Sequence, residues 1–77
     1  DYQLQKENQK EQRRLARRLE QLEAQIEDLD IQISQLQEAM QATNDAAELM
    51  ESQQQIDQLT AAQEEAMLEW EELAEKV

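Results

Sequence analysis

From Leu15 to Met40 the large apolar residues Leu15, Leu19, Leu22, Ile26, Leu29, Ile33, Leu36 and Met40 recur at spacings of four and three, in unbroken alternation apart from Ile31. An average spacing of 3.5 residues is the period of helices that wind around one another. The segment therefore reads as a helix with a coiled-coil seam, with Leu15, Leu22, Leu29 and Leu36 at d and Leu19, Ile26, Ile33 and Met40 at a. A helix laid on a globular core carries a broader, less regular stripe. Ile31 falls at f and is expected to face water, as single surface apolar residues commonly do.

The pattern stops near Ala42. Thr43, Asn44 and Asp45 form the turn-like cluster of the chain. Asp45 followed by Glu48 reads as a capping box, in which the Asp45 carboxylate accepts from the Glu48 backbone N–H and Glu48 reaches back, with Asn44 as the competing cap. A second seam follows at Leu49, Ile56, Leu59, Trp70, Leu73 and Val77, diluted by Ser52, Gln63 and Ala66. This weaker helix is expected to depend on the first. A short connector between long helices makes them antiparallel neighbours. The predicted fold is all-α, a two-helix antiparallel coiled-coil hairpin, with helix 1 at about 15–42, a turn at about 43–46 and helix 2 at about 47–77. Residues 1–14 are expected to overhang it as a basic, helical linker from an upstream domain. The heptad extended backwards would put Gln12, Asn8, Gln5 and Asp1 on the seam, where they cannot form a dry interface, and Tyr2 and Leu4 are the large apolar groups there.

Two registers fit the heptads. One sets Trp70 opposite Leu15 and leaves Leu73 and Val77 facing Gln12 and Asn8. The other sets Trp70 opposite Leu22, Leu73 opposite Leu19 and Val77 opposite Leu15. The second is preferred, because burying a large apolar side chain is worth roughly 1.5–3 kcal/mol. Leu15, Leu19, Leu22, Trp70 and Leu73 are then the structural anchors. Met50, Met67 and Leu68 lie off the seam, where they could widen the apolar face or meet a second hairpin in a weak homodimer.

Composition excludes most chemistry. The 77 residues include no Gly, Pro, Cys, His or Phe. Gly-rich phosphate loops, thiolate metal sites, disulfides and His- or Cys-based nucleophilic catalysis are therefore absent. The carboxylate groups Glu27-Asp28-Asp30 and Glu71-Glu72-Glu75 have no loop to converge them on a cation. No catalytic, cofactor-binding or metal-binding residue is expected, and the chain is not expected to be an enzyme. It begins at Asp1 rather than Met, which gives the expectation of a piece of a longer protein. No apolar run approaches the roughly 18 residues of a membrane span, and none resembles a signal peptide. A soluble, cytoplasmic protein without a membrane partner is expected.

Charge is the other informative feature. Net charge is −12. Residues 1–18 nevertheless hold Lys6, Lys10, Arg13, Arg14, Arg17 and Arg18 against Asp1, Glu7 and Glu11, whereas residues 19–77 hold Lys76 against sixteen acids. At 100° per residue the six cations fall within about 140° of one another, in a stripe about 18 Å long, away from the Leu15–Leu19–Leu22 seam. Such a stripe suits a phosphate backbone, with Arg donating in forked pairs. It also suits a solvated face balanced by Glu7, Glu11 and the second helix, since Glu69, Glu72 and Lys76 come close at the hairpin base.

The run KEQRRLARRLEQLEAQIEDLDIQISQLQEAM (Lys10 to Met40), a short break, and EEAMLEWEELAE (Glu64 to Glu75) together resemble the C-terminal coiled-coil domain of ABC-F proteins. These proteins carry two ATP-binding cassettes and no membrane domain. The shared layout is a basic Lys10-Glu11-Gln12-Arg13 entry, a heptad helix, a loop, and a second helix ending in Trp70-Glu71-Glu72-Leu73. The family's loop is often longer and holds Pro and aromatic residues, whereas this one has Thr43-Asn44-Asp45-Ala46-Ala47. The resemblance implies a ribosome-associated, ATP-dependent translation or resistance factor, with ATP and magnesium held in upstream cassettes of the same chain. It also implies ribosomal RNA or DNA as a partner, contacted through Lys6, Lys10, Arg13, Arg14, Arg17 and Arg18. The alternative is a structural spacer or dimerisation arm of an unrelated protein.

Overall fold

The computed structural model describes residues 2–77, and the backbone alone at Leu4; Asp1 and the Leu4 side chain, both assigned above to the overhang, lie outside the described residues. Two helices account for the fold, α1 (Tyr2–Gln41) and α2 (Ala46–Ala74). They form an antiparallel hairpin 66 Å long and 14 × 13 Å in section, as the heptads predict. α1 runs without interruption from Tyr2 through the basic segment into the seam. Its 40 residues exceed the 29 of α2, which at 1.5 Å per residue makes it about 16 Å longer. The excess is the overhang.

The turn keeps its expected length and shifts by one residue, with α1 ending at Gln41 and α2 starting at Ala46. Asp45 is the N-cap, but its carboxylate accepts from Ala47 N–H at 2.9 Å rather than from Glu48. Glu48 does not reach back to the Asp45 backbone. It accepts instead from the Thr43 hydroxyl at 2.6 Å, while the Asp45 N–H donates to the same hydroxyl oxygen at 3.2 Å. Thr43 thus relays the second half of the capping box, which is why Asn44 is not needed as the cap.

Among the described residues four are buried, Leu22, Leu29, Ile56 and Ala66. All are seam positions, and Leu22, at 1 % exposure, is the most enclosed. Leu15, Leu19, Trp70 and Leu73 are half-buried. Ile31 is half exposed, as its f position requires. Cross-helix contacts fall nearer the preferred register than the other, since Trp70 bonds Glu23, next to Leu22, and not a residue beside Leu15. Gln63 would face Leu29 in the preferred register and Leu22 in the other, yet its Nε2 donates to the Ile26 carbonyl at 3.2 Å. Leu22 lines one surface groove with Ala66, while Trp70 lines another with Glu23 and Ile26. Helical side chains lean toward their own N-terminus, so Trp70 tilts toward the hairpin tip, alongside Glu23 and Ile26. The end of α2 corrects the expectation for Val77. It is 59 % exposed rather than packed on Leu15, because α2 ends at Ala74 and Lys76, not Val77, lies beside Leu15.

Two outcomes follow. Leu22→Ala should cost about 2–5 kcal/mol, enough to unfold most of a hairpin of this size, while Ile31→Gln should change stability by less than about 0.5 kcal/mol; urea melts followed by far-UV circular dichroism compare them. A peptide of residues 43–77 should be largely non-helical in water, because α2 draws its stability from α1 and lone helices are marginal. A strongly helical spectrum for that peptide would contradict this.

Candidate nucleic-acid interface

The base of the hairpin holds the charged groups. On α1, Lys10, Arg13, Arg14, Arg17 and Arg18 line a single shallow groove with Gln21. Lys6 lies one turn nearer the N-terminus and is exposed, outside that groove. Gln21 was not singled out by its residue type. The signal was its position, three residues after Arg18 and on the same face; its Oε1 accepts from Arg18 Nη1 at 3.4 Å.

The cations repel one another along α1. Lys6–Lys10, Lys10–Arg14, Arg13–Arg17 and Arg14–Arg18 are all four residues apart, and each such like-charge pair disfavours the helix by about 0.2–0.5 kcal/mol. Little offsets this within the chain. Among the described residues a single ion pair occurs, Arg18 Nη2 to Glu69 Oε2 at 2.7 Å, with both side chains nearly half exposed. Lys10, Arg13, Arg14 and Arg17 make no such pair. Their guanidinium and ammonium donors are left without an ion-pair partner among the described residues.

Arg18 is the exception and sits at a boundary. Beside lining the cationic groove, it lines a second one with Leu22, Gln25, Ala66 and the carboxylates of Glu65, Glu69 and Glu72. Lys76 takes a separate position at the base, beside Asn8, Glu11, Gln12 and Leu15. On the opposite side of the seam, Trp70 Nε1–H donates to Glu23 Oε1 at 3.1 Å, a contact the heptad pattern does not reveal. It ties the indole to α1 and satisfies its donor.

Carboxylates elsewhere do not assemble into a centre. Among the described residues no three His, Cys, Asp or Glu side chains converge as a metal site, and no helix is long and apolar enough to cross a membrane.

Removing the indole donor tests the Trp70–Glu23 contact. Trp70→Phe should lower stability by about 0.5–1.5 kcal/mol through the lost hydrogen bond, over and above any change in apolar contact. Glu23→Ala should lose no further stability in the Phe background, as read from a double-mutant cycle of urea midpoints.

Compared with known protein families, residues 6–75 match the family described as the ABC transporter C-terminal domain. No curated protein and no solved structure gives a significant match.

Proposed function

The chain belongs to the ABC transporter C-terminal domain family, and from that premise we propose that it is the non-catalytic C-terminal hairpin of an ABC-F ATPase, contacting nucleic acid through the base of α1. ATP and magnesium would belong to cassettes elsewhere in the parent protein. In the hairpin, the lack of Gly leaves no phosphate loop. Membership sets aside an arm of an unrelated protein. The parent would be a cytoplasmic, ribosome-associated translation or resistance factor, with ribosomal RNA as the partner and DNA as a ligand of the same phosphate chemistry.

The observation that carries this reading is the groove of Lys10, Arg13, Arg14 and Arg17, none of which pairs with an acid among the described residues. A helix surface with that many unpaired cations works against helix stability, and an anionic partner would remove the repulsion. The groove has no aromatic residue for stacking bases, so the contact would read the backbone rather than the sequence. The acidic remainder would repel the same ligand, which limits contact to the base and makes it salt-sensitive.

Binding of a fluorescein-labelled duplex, followed by anisotropy over a salt series, tests the proposal. Four to five neutralised phosphates would give a slope of about −4 for log K against log salt on duplex DNA. Replacing Arg13, Arg14 and Arg17 with Gln should weaken binding more than about tenfold at low salt and reduce the slope by about 3. Unchanged binding after that replacement would remove the groove as the interface, and an RNA duplex in parallel ranks the two ligands.

A further inference from the structure

Arg18 is the one groove cation already committed to another part of the chain. Its Nη2 is held by Glu69 at 2.7 Å and its Nη1 faces Gln21 Oε1 at 3.4 Å. Both partners of the ion pair are exposed enough for solvent and ligand to reach them. Glu69 lies on α2, and α2 carries eight acids and no cation between Ala46 and Ala74. A polyanion settling in the groove therefore meets, at Arg18, a carboxylate that already occupies the guanidinium. Phosphate and carboxylate compete for the same planar fork of donors.

We propose that the Arg18–Glu69 pair is an intramolecular latch: Glu69 competes with the polyanion for Arg18, so that nucleic-acid binding at α1 and docking of the α2 base oppose each other. This rests on the reading of the groove as a nucleic-acid interface and adds its regulation. Coupling of this kind is reciprocal. Whatever holds α2 tightly against the base weakens the polyanion, and a bound polyanion draws Arg18 away from Glu69 and loosens the last turns of α2. Lys10, Arg13, Arg14 and Arg17 supply the bulk of the attraction and Arg18 sets its ceiling. An exposed ion pair holds its partners only weakly, and freeing Arg18 is therefore worth about two- to fivefold in affinity.

The test separates this effect from the general gain of removing a negative charge. Glu69→Gln frees Arg18. Glu65→Gln removes the same charge from the same groove without touching the pair. Both are measured on the 77-residue chain against a labelled RNA duplex, alone and in an Arg18→Gln background, with circular dichroism confirming equal helix content. The latch predicts that Glu69→Gln tightens binding about two- to fivefold beyond Glu65→Gln, and that this excess vanishes when Arg18 is Gln. Equal gains from the two variants, or an excess that persists without Arg18, would overturn the latch while leaving the interface intact. No binding by any variant, the unsubstituted chain included, would overturn both. A second readout needs no affinity: the latch predicts that saturating duplex lowers the hydrogen-exchange protection of residues 69–74, and increased protection there would contradict it.

Discussion

The burial of a handful of seam side chains between the two helices is the constraint on which the rest depends. A two-helix hairpin buries only one side of each helix, so its few buried groups carry nearly all the specificity. Leu22, Leu29, Ile56 and Ala66 are those groups. Their burial fixes the register. The register then brings Gln63 to the Ile26 carbonyl, Trp70 to Glu23 and Glu69 to Arg18. A polar residue on a seam weakens it but favours one alignment over its neighbours. Gln63 has that effect here, because a shift by one heptad would take its amide away from Ile26.

The same register gives the molecule its electrical polarity. Six of its seven cations lie on α1 from Lys6 to Arg18, and the seventh, Lys76, lies beside Leu15. Every cation is therefore at the base, while the tip and all of α2 as far as Ala74 carry only acids. An anion approaching the tip is repelled and one approaching the base of α1 is drawn in. Arg18 stands where the two fields meet, which explains why it is the cation that forms an ion pair across the hairpin among the described residues.

Much of this was legible in the residue order. The alternation from Leu15 to Met40 fixes a helix and its contact face, because no other structure repeats at that period. Thr43 to Asp45 marks the turn, because the flanking segments hold nothing else that favours one. The exact alignment of α2 was not legible. Its seam is interrupted by Ser52, Gln63 and Ala66, and counting matched apolar pairs does not show where α2 ends. That gap carried Val77 onto the seam, where the helix has already ended. The cationic stripe was visible from helical angles alone, and its lining by Gln21 followed from the same geometry. The pairing of Arg18 with Glu69 depended on the register, so residue type could place Glu69 near the stripe but could not choose its partner.

The central proposal is that the cationic face of α1 at the hairpin base, away from the seam, binds a polyanion and that no other surface does. Amide chemical-shift mapping during titration with an RNA duplex addresses it directly, because every backbone position reports at once. The account predicts perturbations concentrated in residues 6–21, with smaller changes at residues 69–74 and none at residues 41–49. Perturbations centred on the tip, or spread evenly along both helices, would contradict it.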